Sequence, residues 1–358
     1  MKPAIANAAE TAALGRLARH SEPVTRDVLR GRSGTDRSRS AETAKIGVIY
    51  NPRSAANLGQ APLRAVGVPC GQPANRAELR ALLREFAAAE VDVVTVSGGD
   101  GTIREVLTAI PEAYGDAPHP AIAILAAGRT DLIASEVGSS GRRDELARLL
   151  AAAKAGTLRR TRRPVMRVEG VADLDGEAIT PRGMLLGWGA MVFGTELCQK
   201  EVHADGASHD TAVGITFARV VGRILFRGDP DRLLKGHRLG LHADGQPDRL
   251  GPDGARALLI VSTLREKLVL GRTVFFGDYR EDQLQYLETD APARGLVRAV
   301  GSLAIGKPWL AGPGWSSHAA NTLELVTDRS IVIDGELFRP IDGRILITAD
   351  PAVDFVAP

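Results

Sequence analysis

The chain has 358 residues, more than one ordinary hydrophobic core accommodates, so two domains with an appendage are expected. Hydrophobic residues make up 44% and charged residues 25%, a globular composition that excludes a disordered or fibrous chain, and a formal net charge of +2 gives no bulk argument for a nucleic-acid partner. Two cysteines, Cys70 and Cys198, are too few and too far apart for a disulfide framework or a zinc site, and read as packing residues in a reducing, cytoplasmic setting.

Residues 1–43 are rich in Ala, Arg, Ser and Thr, and 31–40 (GRSGTDRSRS) has almost nothing to bury, so this part reads as a flexible extension with a helix over 8–20. It has no continuous apolar core of signal-peptide type, and no segment of the chain approaches the roughly 20 apolar residues that span a bilayer. The first strand is 46–50 (IGVIY), ending in the turn Asn51-Pro52-Arg53-Ser54. A helix opens at Asn75 with Glu78 three residues on as a capping box, and carries Leu79, Leu82, Leu83 and Phe86 at helical spacing. Val91, Val93, Val94 and Val96 form a short β-branched run that fits a central parallel strand. A second amphipathic helix follows, with Ile103, Val106, Leu107 and Ile110 on one face. Residues 121–125 (AIAIL) are a third strand, and 144–155 is a helix closed by Gly156. Alternating strand and helix predicts parallel βαβ units, whose ligands bind beyond the carboxyl ends of the strands. Three loops meet there: 51–59, 97–102 and 126–131.

After Arg163-Pro164 the pattern changes to short β-like runs at 165–169, 183–188, 238–242, 256–263, 323–326, 331–333 and 344–348, which read as a mainly antiparallel sheet or sandwich. One helix, 211–226, interrupts them and reads as core packing. The cluster His203, Asp205, His209 and Asp210 reads as a solvated loop, because it lacks the spacing of a metal cage. Arg159, Arg160, Arg162 and Arg163 form a basic run, either a solvated face or a surface that attracts anionic headgroups. Trp309 and Trp315 read as buried rings rather than membrane anchors.

The turn Ser97-Gly98-Gly99-Asp100-Gly101 joins the central strand to its helix. Glycines let backbone N–H groups approach a ligand, and a helix N-terminus at a strand's carboxyl end favours an anion. Thr102 and Glu105 read as a capping box, which leaves a ligand role for Glu105 open. An aspartate amid such a site calls for a cation, and Mg²⁺ carried on a nucleoside triphosphate suits Asp100. Asp334-Gly335-Glu336, by itself, reads as a hairpin turn.

Gly98-Gly99-Asp100-Gly101-Thr102 with Glu105, preceded by Asn51-Pro52-Arg53-Ser54 and followed downstream by Asp334-Gly335-Glu336, resembles the diacylglycerol kinase catalytic-domain family, which includes bacterial lipid kinases and sphingosine kinases. The resemblance runs from Lys45 to the C-terminus; the pentapeptide alone also occurs in NAD kinases and, with Ser for Thr, in phosphofructokinases. It implies an α/β fold with an N-terminal parallel-sheet nucleotide domain over 44–162, of NAD kinase or diacylglycerol kinase type. A C-terminal, mainly antiparallel β-sandwich over 163–338 would take the lipid, with 339–358 returning to the first domain.

The implied activity is ATP-dependent transfer of the γ-phosphoryl group to a hydroxyl of diacylglycerol or a related lipid alcohol, with ATP and Mg²⁺ as cofactors. The implied setting is cytoplasmic and peripherally membrane-associated, with no nucleic-acid partner and with a homodimer available through an exposed sandwich edge. By position, Asn51, Pro52, Arg53, Ser54, Gly98, Gly99, Asp100, Gly101, Thr102, Glu105, Gly128, Arg129 and Thr130 would contact the nucleotide. Asp100 would act through the metal, with a water between, and Glu336 or Asp334 would accept the hydroxyl proton. Two other readings stay open: an NAD kinase-like enzyme, disfavoured by the missing second acidic motif, and a catalytically impaired nucleotide- or lipid-binding member. The third loop departs from the family's usual Gly-Thr-x-Asn, reading Gly128-Arg129-Thr130-Asp131. There Arg129 either clamps a phosphate or obstructs the pocket. The threonine often found before the second helix, and the pattern of a structural Mg²⁺ site, are not found.

Overall fold

The computed structural model describes residues 44–139, 144–193, 195, 236–248, 254–265, 273–277, 279–293 and 314–358. The expectations for 1–43, Cys198, the 203–210 cluster, the 211–226 helix and Trp309 lie outside the described residues.

Strands β1 (Ile46–Tyr50), β3 (Val93–Gly98) and β4 (Ala121–Ala126) are parallel, in the registers Ile46↔Val93 and Val93↔Ala121, with the short β2 (Cys70–Gly71) parallel on the outer side of β1. They are buried almost throughout because both faces are covered. Helices α1 (Arg76–Ala88) and α2 (Asp100–Tyr114) place Leu83, Phe86, Ile103 and Val106 against Ile49, Val94 and Ile122. On the other face, α4 (Glu145–Ala155) sets Leu149 and Ala153 on Ile46, Val93 and Ala121. Between β4 and α4, the described residues form one short helical turn, α3 (Leu132–Glu136). Gly156 ends α4 at φ 68°, a left-handed position that suits glycine.

Asn75 caps α1 as the spacing predicts: its Oδ1 accepts the Glu78 N–H at 2.9 Å, and Glu78 Oε2 accepts the Ala74 N–H at 2.8 Å. Replacing Asn75 with Ala is expected to cost about 1 kcal/mol. In a thermal melt this should lower Tm by about 2 °C.

The remaining strands are β5 (Arg159–Glu169), β6 (Val171–Ala172), β7 (Ala178–Ile179), β8 (Arg182–Gly183), β9 (Leu185–Gly189), β10 (His237–Arg238), β11 (Gly240–Ala243), β12 (Gln246–Pro247), β13 (Ala255–Ser262), β14 (Leu284–Asp290), β15 (Trp315–Ala320), β16 (Thr322–Val326), β17 (Ile331–Ile333), β18 (Glu336–Pro340) and β19 (Arg344–Ala357). One sheet runs β12-β11-β16-β19-β4-β3-β1-β2, and a second runs β15-β14-β13-β9-β17-β18-β6-β7. The long strand β19 joins the parallel and antiparallel parts. Its first half pairs antiparallel with β16, its end pairs parallel with β4 at Phe355↔Ile122, and β5 lies along its other side. The fold is therefore α/β, with an N-terminal parallel sheet and C-terminal antiparallel sheets packed face to face. Trp188, Leu259, Phe338, Ile345 and Ile347 fill the space between the antiparallel sheets. A second apolar cluster runs from Ile103 and Ile133 to Met184, Leu258 and Ile260, so the two parts share a core.

Several elements depart from the sequence reading. The basic run 159–163 is the first half of β5, where Arg160 and Arg162 pair with Asp354 of β19. Strand β14 escaped because Gln285 and Glu288 interrupt its apolar pattern, yet both are buried. Glu288 is accommodated by the fully buried Arg256, whose Nε lies 2.6 Å from Glu288 Oε2 and whose Nη2 meets Asp248. Trp315 is buried, as expected. Cys70 is not a packing residue: it is exposed on the edge strand β2, and its thiol donates to the Leu63 carbonyl at 3.3 Å.

Candidate active site

The carboxyl ends of β1, β3 and β4 carry three loops, and backbone hydrogen bonds tie them together. Asn51 N–H donates to Ser97 O at 3.0 Å, Ala127 N–H to Gly98 O at 3.1 Å, and Ala56 N–H to Ala127 O at 3.0 Å. Glycine is required where the loops touch: a Cβ on Gly99 would meet the Gly128 Cα at 2.8 Å, and one on Gly98 would meet Thr102 Cβ at 2.6 Å. Asn51 links loop to helix through Nδ2, which donates to Thr102 Oγ1 at 2.8 Å, while its Oδ1 accepts the Arg53 N–H at 3.0 Å. Pro52 and Arg53 form the exposed tip, and Ser54 is buried. Asn57, which the sequence reading did not single out, locks this loop by donating Nδ2 to Asn51 O at 2.9 Å and to Ser97 O at 3.2 Å.

The expected capping box at Thr102 and Glu105 is not formed. Helix α2 begins at Asp100 with Gly99 as its N-cap, and no side chain caps it; the Thr102 N–H donates to Gly99 O at 2.9 Å. Glu105 instead meets two guanidiniums: Arg76 Nε at 2.9 Å and Arg104 Nη2 at 2.7 Å. Burial alone would raise the pKa of Glu105, but Arg104 and Arg76 outweigh it and hold the carboxyl below its usual range. Arg76 also reaches Asp173 at 2.5 Å, so α1, α2 and the segment after β6 are joined by one ionic network. A cavity of about 440 Å³ lies beside this network, lined in part by Arg76, Glu105, Thr108, Thr180 and Arg182, and it includes none of the glycine turn.

Asp100 turns toward α3. Its Oδ2 accepts the Leu132 N–H and its Oδ1 the Ile133 N–H, both at 3.1 Å, so it supplies the cap that Asp131 does not. Asp131 sits in the left-handed region at φ 48°, and its Oδ1 accepts the Gly128 N–H at 2.8 Å. Arg129 and Thr130 are exposed at the rim of the third loop.

Across from the glycine turn stands the β17–β18 hairpin. Asp334 and Gly335, at φ 44° and 87°, make the two-residue turn that the dipeptide predicts. The two acids then diverge. Asp334 points inward, its Oδ1 accepting the Leu185 N–H at 2.9 Å and its Oδ2 the Met184 N–H at 3.1 Å, while its own N–H donates to Leu185 O at 2.9 Å. Glu336 is exposed and faces the loop: a Cβ built on Gly101 would stand 3.7 Å from its Oε1.

Burial lifts the Asp100 carboxyl to about 6, with Asp131 adding to the rise, and burial followed by the charge of Asp100 lifts Asp334 to about 7. A carboxyl raised in the fold binds its proton more tightly folded than unfolded. Its stabilising contribution is therefore complete below the ordinary Asp value of about 4 and is lost as pH rises through the folded pKa. Glu105 and Asp173, both lowered, act oppositely and only at more acid pH. Stability from this pair is thus expected to decline from pH 4 to 7. Asp334→Asn keeps an oxygen within 3.3 Å of both amides and should flatten the decline, read as denaturant midpoints across pH.

The chain is similar to known proteins in one segment and in fold. Residues 45–162 match the diacylglycerol kinase catalytic domain. This segment is similar to that family. A solved structure of a diacylglycerol kinase from Bacillus anthracis str. Sterne is 14% identical at a TM-score of 0.55, covering 88% of this chain and 97% of that one. A second from the same organism, described only provisionally as a diacylglycerol kinase, is 15% identical at a TM-score of 0.58 with the same coverage. At these identities the likeness is one of fold. Comparison with curated proteins gives no match.

Proposed function

We propose that the protein is an ATP-dependent lipid kinase that transfers the γ-phosphoryl group to a hydroxyl of diacylglycerol or a related lipid alcohol. The observation that carries this reading is the approach of Glu336 to Gly101: an exposed carboxylate faces the glycine turn at which α2 begins without a side-chain cap. Phosphoryl transfer needs a cradle for the polyphosphate and a carboxylate to take the acceptor's proton. Gly98 to Thr102, with Asn51 and Ser54, supply the first, and Glu336 supplies the second. Arg129, exposed and without an ion pair among the described residues, is free to meet a phosphate. The family of residues 45–162 supports a lipid alcohol as acceptor. Access to such an acceptor calls for contact with a membrane surface, and among the described residues no helix is long and apolar enough to cross one.

Mg²⁺ fits as a nucleotide-borne ion. No cluster of three or more candidate metal-ligating side chains exists among the described residues, so these residues alone do not cage a cation. Each oxygen of Asp100 accepts one amide, leaving capacity for a water of the hydrated ion. Bound there, Mg²⁺ would neutralise polyphosphate charge, while Asp100 orients its water and Glu336 removes the acceptor's proton.

The test is a side-by-side assay of the purified chain with ATP, Mg²⁺ and either diacylglycerol in mixed micelles or NAD. Phosphatidic acid formation with no NADP supports the proposal. NADP formation would replace it with the nucleotide-acceptor reading. Tight ATP binding without transfer to any acceptor would assign a binding role instead.

A further inference from the structure

We propose that Arg104 is a positioning residue for this reaction, fixing the hairpin so that Glu336 stays over the glycine turn; the inference rests on the kinase reading above. Arg104 lies in α2, three residues after Gly101, and its side chain is almost wholly buried. Its Nη1 donates to the carbonyl of Ile333 at 3.2 Å, and its guanidinium stands 5.2 Å from the centre of the Phe338 ring. Ile333 is the last residue before the turn. Phe338 follows Glu336 by two residues, on the same face of β18. One side chain thus grips the hairpin on both sides of the turn that bears Glu336.

The grip is itself fixed. Arg104 Nη2 donates to Glu105 Oε1 at 2.7 Å, and Glu105 is held by Arg76 of α1 at 2.9 Å. A buried guanidinium is costly to desolvate, and an apolar side chain of similar volume fills such a space at no such cost. What an apolar group cannot do is bond a chosen carbonyl while stacking on a chosen ring. Lysine lacks the planar fork needed for both contacts at once. With Ile333 and Phe338 anchored and Asp334-Gly335 confined to left-handed backbone angles, Glu336 has little freedom to swing away from Gly101.

The experiment compares the full chain with its Arg104→Met, Arg104→Lys and Phe338→Leu variants. It measures kcat, KM for ATP, affinity for a non-hydrolysable ATP analogue, and amide hydrogen exchange across 331–340. Arg104→Met is expected to lower kcat about 10- to 100-fold with analogue affinity and KM within about twofold, since misplacing a reacting group affects transfer rather than binding. Exchange at 334–336 should accelerate. Arg104→Lys should recover part of the rate, and Phe338→Leu should show a smaller loss of the same kind. If Arg104→Met does not fold, the other two variants carry the same test. Unchanged kcat and exchange in folded variants, or a parallel fall of kcat and analogue affinity, would overturn the inference. Absence of transfer by the wild type would defeat the kinase reading separately, and exchange would then decide whether Arg104 holds the hairpin.

Discussion

Glu336→Gln is expected to lower kcat by about 10²- to 10⁴-fold, the usual worth of a general base, and to leave ATP affinity nearly unchanged. The expectation follows from the division of labour within one turn. Asp334 spends both oxygens on the amides of Met184 and Leu185, so it braces the hairpin against β9. Glu336, one residue past the turn, is exposed and stands opposite Gly101. Substitution of Glu by Gln preserves shape while removing the negative charge and the capacity to accept a proton. Initial rates together with calorimetric titration of ATP separate the two quantities. Full activity in Glu336→Gln with a dead Asp334→Asn would transfer the base assignment to Asp334.

Asp100→Ala is expected to reduce both activity and stability. The carboxylate caps α3 through the amides of Leu132 and Ile133. Leaving two donors unpaired costs roughly 1–3 kcal/mol each, so a loss of about 2–6 kcal/mol is expected on denaturant unfolding. Transfer should fall at least about 100-fold, because the charge proposed to orient hydrated Mg²⁺ would be gone along with the third loop's support. Asp100→Asn separates these effects. Its amide oxygen retains one acceptor, so it should recover part of the stability while its activity stays low. Equal recovery of both would make Asp100 a purely structural cap.

The strands and glycines of the nucleotide part were legible in the sequence because their causes are local. Val93 to Val96 read as a buried parallel strand, Asn75 with Glu78 as a helix start, and Asp334-Gly335 as a two-residue turn; each stands in the structure as its side-chain chemistry dictates. Long-range ionic contacts were not legible. Arg104 sits beside Glu105 on a helix, where a charge ordinarily faces water, and nothing local announces that the carbonyl of Ile333, 229 residues away, will accept its hydrogen bond. The same blindness hid β14, whose buried Glu288 makes sense only beside Arg256. It also turned Glu105 into a cap, because Arg76, which claims its carboxylate, belongs to a different helix. The third loop, 128–131, was read as a departure in composition. Its consequence, the charge of Asp131 beside Asp100, needed the fold.

The central claim is that the glycine turn offers a phosphoryl group to an alcohol deprotonated by the hairpin's exposed acid. Its most direct test is incubation of the wild type and Glu336→Gln with γ-labelled ATP and Mg²⁺ over a total lipid extract. The account predicts label in an organic-extractable phosphomonoester with the wild type and almost none with the variant. Label confined to water-soluble products, or equal labelling of lipid by both proteins, would contradict it.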